Sequence, residues 1–411
     1  MMKESIKWIK NSSVQKEMNR SETDITFLGA AAAKKTRAFM KSFPHYKTTP
    51  LRSLDNLAEY TGVAGIYVKD ESYRFGLNSF KVLGGGHAIG RYLAKILNTD
   101  LADLSYEKLK SAAVREELGE ITFTSATDGN HGRGVAWAAR QLGHRAVINM
   151  PKGASLIRLE HITATGAEGH ITDVNYDQTV RLTANAAKKN GWVVIQDTAW
   201  EGYEEIPTWV MQGYTVMADE ALEQLNQLGI EKPTHIFIQA GVGSLAGAVL
   251  GYFASKLGGQ QPINVVVEPD QADCFYQSAL AGDGRPRIVT GDLDTIMAGL
   301  ACGEPNPFAW NVLQDKADMF LSCPNYIAAN GMRVLGNPLR GDIRVISGES
   351  GAVTTGLLVD LLRREEMSEA REQLQLDQKA RVLIFSTEGD TDPAMYRKIV
   401  WDGAYTDEVI C

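Results

Sequence analysis

Cysteine is scarce in this chain, with four in 411 residues, and none forms a Cys-x-x-Cys pair. That excludes a disulfide scaffold and a thiolate metal ladder, and makes a reducing cytoplasm the expected setting. Cys274 and Cys302 could pair only if the fold brought them together, which the sequence leaves open. Histidine is also sparse, seven residues with no HExxH spacing, so no metal is expected. No apolar run approaches the ~20 residues needed to span a bilayer, so no membrane partner is expected. The first twenty residues hold lysines but no continuous apolar stretch, which does not read as a secretory signal. An excess of positive charge is missing too: the net charge is -8, which argues against nucleic acid and fits a small-molecule enzyme. Gly348-Glu349-Ser350-Gly351 lacks the spacing of a GxSxG nucleophile elbow.

What is present is an ordinary globular composition, 44% hydrophobic and 22% charged, in a chain long enough for two domains. Residues 1–25 are polar and mixed and read as a surface arm. Strand-like runs at 65–68, 121–124, 145–150, 170–172, 192–196, 235–239, 263–267, 319–321 and 381–385 alternate with helical patterns, among them 82–97, 132–142, 176–190 and 208–228. Such alternation indicates parallel sheet, here two doubly wound α/β domains with ligands in the cleft between them. The expected division is 1–91 with 206–411 as a large domain and 92–205 as a small one.

Four stretches can carry chemistry. Asn78-Ser79-Phe80-Lys81 precedes the helix at 82–97, where the helix-end charge would lower the lysine pKa and suit Schiff-base formation. Ser125-Ala126-Thr127-Asp128-Gly129-Asn130-His131-Gly132 lies between a strand and a helix and offers small residues, amides and one acid. A capped polar turn is the plainer reading there, with His131 and His87 as structural histidines. Ala240-Gly241-Val242-Gly243-Ser244-Leu245-Ala246-Gly247 suits a phosphate, since glycine lets backbone approach closely and a helix starts behind it. A side chain at Gly243 is expected to block that approach without harming the fold. The same loop satisfies GxGxxxG, and Glu268 lies about where a dinucleotide-binding acid would, so a NAD-dependent oxidoreductase is a rival, as is a non-catalytic binding protein. Asp197, at a strand end, is as readily a turn cap as a cleft acid. Gly84-Gly85-Gly86 reads as close packing inside a helix rather than a phosphate loop.

The order lysine after Ser-Phe, Asn-bearing loop, Gly-rich loop and a terminal strand running into Ser386-Thr387 resembles the pyridoxal-phosphate enzymes of fold type II, the tryptophan synthase β-chain and threonine dehydratase group. The resemblance implies pyridoxal 5'-phosphate on Lys81, its hydroxyl and the substrate carboxylate held by Ser125, Ala126, Thr127, Asp128 and Asn130, its phosphate by Gly241, Val242, Gly243, Ser244 and Leu245, and its ring nitrogen facing Ser386 or Thr387. The Asn loop is one residue longer than that group's pattern and places an acid, Asp128, beside the substrate. In this the chain is similar to the diaminopropionate ammonia-lyase branch. That likeness implies elimination of ammonia from D- and L-2,3-diaminopropionate, with Lys81, Asp128 and Asp197 as catalytic residues and a homodimer as the assembly. A serine or threonine dehydratase, or a β-replacement synthase, is the alternative of the same fold.

Overall fold

The computed structural model describes residues 5–11 and 23–406. Their strands are β1 (Lys7–Lys10), β2 (Leu51–Ser53), β3 (Gly65–Asp70), β4 (Thr122–Ala126), β5 (Arg145–Met150), β6 (Glu168–Ile171), β7 (Val193–Val194), β8 (His235–Gln239), β9 (Ile263–Pro269), β10 (Met319–Cys323) and β11 (Arg381–Ser386). They form two sheets. The larger runs β1-β10-β9-β8-β11-β3-β2, parallel inside and closed by an antiparallel strand at each edge. The smaller runs β6-β5-β4-β7 and is parallel throughout.

The larger sheet is buried on both faces, so its strands are near-continuous runs of Val, Ile, Leu and Phe. The two-residue side-chain period sorts each strand between two cores. Ile236, Ile238, Val266, Leu383 and Phe385 face one core, which continues past Phe123 and Ile148 into the smaller sheet. Phe237, Val265, Val267, Val382 and Ile384 face the other, under the helices Asn325–Gly336 and Glu349–Arg363.

The helix Val82–Ile96 joins the two halves, and its glycines allow it to do so. A Cβ on Gly84 would stand 2.6 Å from the Tyr214 ring, and one on Gly213 would stand 2.3 Å from the Leu83 carbonyl oxygen. On the other flank a Cβ on Gly134 would lie 2.8 Å from the Val82 Cα. The helices Glu205–Gln227 and Asn130–Gln141 therefore touch it backbone to backbone.

Two expectations need correction. The proposed N-terminal arm contains an ordered edge strand, β1, paired with β10, while residues 12–22 of the same stretch lie outside the described residues. The strand expected over 192–196 narrows to Val193–Val194, because the Gln196 amide turns away from the ladder to the Tyr203 hydroxyl. The arrangement brings five segments together: those following β3, β4, β7, β8 and β11 all reach one cavity. The cavity lies beyond the carboxyl ends of parallel strands, where such sheets bind their ligands.

Candidate active site

Lys81 sits at the N-terminal edge of the helix Val82–Ile96, with its side chain 16% exposed. Its Nζ donates to Asp197 Oδ2 at 2.5 Å. Burial pulls the ammonium's pKa down, but the Asp197 carboxylate, joined by Tyr214 and Asp128, makes the net shift upward. The lowered pKa expected from the helix end is thus overturned. A partial helix charge of roughly half a unit loses to a full carboxylate in contact. Burial alone would raise Asp197, which is 3% exposed, yet Lys81 and His131 hold it down to about 2. Asp197 is therefore a cleft acid and not a turn cap.

The Asn-bearing loop is shaped by Thr127, whose hydroxyl accepts from the Gly129 amide at 2.9 Å and the Gly132 amide at 3.0 Å. Gly129 takes φ +149, and its missing side chain leaves room for the stem of Arg158. Asn130 opens the helix Asn130–Gln141, and its amide donates to the Glu388 carboxylate. Asp128 reaches the same cavity, and its Oδ2 is buried without a hydrogen-bond partner. Ser125 and Ala126, expected at the substrate, lie elsewhere. Both belong to β4 and are engaged by the Gln196 side chain, the Ser125 hydroxyl and the Ala126 amide each donating to Gln196 Oε1.

The Gly-rich loop follows β8 and starts the helix Ser244–Leu257. Gly241 to Leu245 line the cavity. The first amides of a helix have no intrahelical partners, so this end presents donors. Gly243 adopts φ +89, and a Cβ there would lie 2.3 Å from the Phe275 ring. The idea that a side chain at Gly243 spares the fold is wrong: both the left-handed backbone and the Phe275 contact oppose it. The Ser244 hydroxyl donates to the Asp197 carbonyl at 2.5 Å, which fixes this loop to the strand-end acid. Glu268 is unavailable to a dinucleotide ribose, because the Phe275 and Tyr276 amides already bond its buried carboxylate at 2.8 and 2.7 Å.

At the last strand, alternation separates the two hydroxyl candidates. Ser386 points away and bonds the Ser347 hydroxyl at 2.8 Å, whereas Thr387 lines the cavity and accepts from Gln239 Nε2 at 2.9 Å. His131 is 2% exposed, and its Nε2 donates to the Ile195 carbonyl at 2.8 Å. His87 bonds the Trp209 carbonyl and is remote from the cavity. Cys274 and Cys302 are buried free thiols, the latter in the cavity wall.

Several lining residues carry no sequence motif. Tyr176 sits with its hydroxyl 3.4 Å from Asp197 Oδ1; Tyr214 stacks at a tilt on Phe80 with ring centroids 4.7 Å apart. Gln239 and Glu388 complete the wall. Only Glu388 was within reach of sequence reading, since it directly follows Ser386-Thr387. Burial raises the Glu388 carboxyl, partly offset by Arg158. Gln239 Oε1, the Tyr214 hydroxyl and His131 Nδ1 are buried polar atoms with no hydrogen-bond partner among the described residues.

The description "pyridoxal-phosphate dependent enzyme" matches residues 42–386. A diaminopropionate ammonia-lyase of Salmonella typhimurium strain LT2 is 52% identical over 380 residues, 92% of this chain and 94% of the relative. Two crystal structures of the diaminopropionate ammonia-lyase from Escherichia coli superpose over 98% of both chains at 48% identity. One is in complex with an aminoacrylate-PLP azomethine reaction intermediate, at a TM-score of 0.89; the other is in complex with D-serine, at 0.90. Fold, cavity and comparisons agree: the chain belongs to the fold type II pyridoxal-phosphate dependent enzymes and, among them, to the diaminopropionate ammonia-lyase family.

Proposed function

We propose that this protein eliminates ammonia from D- and L-2,3-diaminopropionate, giving pyruvate and two ammonia. The observation that carries the reading is the gathering of one amine, Lys81, and two carboxylates, Asp197 and Asp128, in a single cavity. Expelling an amine calls for an anion to hold the departing ammonium, and expelling a hydroxyl does not. Asp197 already binds one ammonium, that of Lys81, and would bind the substrate's β-ammonium in the same way.

Pyridoxal phosphate fits the residues present. The unpartnered polar atoms of Gln239, Tyr214 and His131 suit a polar group, and the loop Gly241 to Leu245 suits its phosphate. Lys81 would hold it covalently, Asn130 would bond its ring hydroxyl, and Thr387 would serve its ring nitrogen. When bound, the group supplies the electron sink for the α-carbon. The chain's own residues do the rest. Thr127 and the amides of the Asn-bearing loop orient the substrate carboxylate. Lys81 takes the α-proton of the L-form, and Asp128 that of the D-form.

In this reading residues 1–91 with 206–411 make the larger, cofactor-binding domain and 92–205 the smaller one. The enzyme works as a homodimer in the cytoplasm on a small amino acid, without nucleic acid or membrane partner, in keeping with the net charge of -8. A dehydratase or β-replacement synthase is the second reading, favoured by the D-serine bound to the Escherichia coli relative. Pyruvate and ammonia released from each diaminopropionate enantiomer and from serine decide between them. Two ammonia per pyruvate, and a higher kcat/KM on diaminopropionate, are expected; a higher kcat/KM on serine would transfer the function to the second reading.

A further inference from the structure

Arg158 lies in the helix Leu156–Thr163 and is 6% exposed. An arginine this deep normally spends its five donors on close partners. This one does not. Its nearest anions are Asp128 Oδ2, 3.6 Å from Nη1, and Glu349 Oε2, 3.9 Å from Nη2, and its Nε has no partner among the described residues. Both ion contacts are too long for hydrogen bonds. Asp128 Oδ2 in turn has no hydrogen bond, although it is buried.

The arginine's place is built by the loop it serves. Its Cδ, Cβ and Cγ would lie 2.9, 3.1 and 3.3 Å from a Cβ on Gly129, so the stem occupies the space that glycine leaves next to Asp128. The guanidinium stands among four carboxylates from three elements: Asp128 on the Asn-bearing loop, Glu349 at the start of its helix, and Glu388 and Asp392 after β11. His161, one turn along its own helix, also senses its charge. An outer vestibule is lined by Arg158, Glu349 and Asp392 and shares Asp128, Tyr176 and Ala298 with the inner cavity. Asp128 therefore stands at the neck between the two spaces, with Arg158 on its outer side.

We propose that Arg158 is a positioning residue for Asp128: its fixed charge steadies the Asp128 carboxylate at the neck, aimed inward, for the reaction of the D-enantiomer. A guanidinium suits this task because it never loses its charge and its planar fork spans two carboxylates. Glu349 faces the other arm of the fork, 3.9 Å from Nη2. The inference rests on the reading of Asp128 as the base for the D-form and assigns what controls that base.

The test compares steady-state turnover of D- and L-diaminopropionate by the holoenzyme of Arg158→Ala, Arg158→Lys, Asp128→Asn and the Asp128→Asn/Arg158→Ala double variant. Arg158→Ala should lower kcat on the D-form by ~10²-fold, at the low end of a lost general base, and kcat on the L-form much less. Added guanidinium ion, which can reach the site through the vestibule, should restore part of the D-rate. Arg158→Lys should retain more D-turnover than Arg158→Ala. In the Asp128→Asn background, Arg158→Ala should cost nothing further and guanidinium should rescue nothing, as expected of residues acting through one another. Equal losses on both enantiomers, additive losses in the double variant, or rescue that persists without Asp128 would each overturn the assignment. If Asp128→Asn alone falls equally on both enantiomers, the base reading itself is wrong, and that single variant shows it independently of Arg158. Should Arg158→Ala fail to fold, the enantiomer ratio of Arg158→Lys carries the same decision.

Discussion

Lys81 and Asp197 form a buried ion pair, Nζ to Oδ2 at 2.5 Å, across the cleft between the segments that follow β3 and β7. The Asp197 carboxylate holds the Lys81 amine as an ammonium. The chemistry of Lys81 therefore depends on a residue 116 positions away in sequence.

Removing Lys81 should do more than end catalysis. Lys81→Ala should abolish turnover and the borohydride-fixable cofactor. It should also strand the Asp197 carboxylate, and breaking a buried pair from one side costs about 3–5 kcal/mol. The Lys81→Ala/Asp197→Asn double variant should then melt higher than Lys81→Ala, as followed by thermal unfolding of the cofactor-free proteins. Equal melting temperatures would mean that Asp197 is satisfied by other groups.

Gly243→Val should weaken cofactor affinity and lower stability together. The backbone at φ +89 disfavours any side chain, by about 1–2 kcal/mol, and the Phe275 ring stands where the Cβ would go. Cofactor titration by absorbance, with a melt of the cofactor-free form, separates the two effects. An unchanged melt would show that the loop relaxes without strain.

Asp128→Asn keeps size and removes basicity. Turnover of D-diaminopropionate should fall by ~10²–10⁴-fold, and that of the L-form much less. Equal losses would mean that Asp128 only holds the β-ammonium.

His87 gives a pH signature of stability. Burial lowers it to about 4 from 6.5, with the Trp209 carbonyl opposing the shift. The unfolded chain thus binds the proton more readily than the folded one between these values. The stability due to neutral His87 is fully present above pH 6.5 and is lost as pH falls toward 4. His131, His144 and His235 are lowered in the same direction. His87→Gln should flatten part of the decline in melting temperature between pH 6.5 and 4; an unchanged slope would assign the decline to the other histidines.

The parts of the fold that sequence reading recovered were those with a clean period. β5 at 145–150, β8 at 235–239 and the helix Tyr176–Asn190 match their expected limits because polar or Gly/Pro punctuation bounds each run. The helices Cys274–Ala281, Pro307–Lys316 and Asn325–Gly336 were not read. The last is buried at Ile327, Ala328, Ala329, Gly331 and Met332, and none of its residues is fully exposed. β1 escaped because its sequence, Lys-Trp-Ile-Lys, gives too little alternation, and its pairing with β10 supplies the order.

At the site, the stretches with local grammar were legible: Lys81, the Asn-bearing loop, the Gly-rich loop and Ser386-Thr387. Strand alternation could have preferred Thr387 over Ser386, since Leu383 and Phe385 share its face. Arg158, Tyr176 and Tyr214 carry no such signal. Each reaches the cavity or its neck from an unremarkable helix, and only the three-dimensional path brings them there.

The strand order has a consequence for how the molecule is born. β11, the latest in sequence of the described strands, lies between β8 and β3, in the middle of the larger sheet. Until residues 381–386 emerge, the β2-β3 pair has no neighbour to join it to β8-β9-β10. The smaller sheet, from residues 122–194, has all its strands long before that moment. Synthesis thus delivers a finished small sheet and two waiting fragments, and the final strand, inserted between them, brings Thr387 and Glu388 to the cavity. A nascent chain therefore has no complete cleft until residues 381–388 have been made.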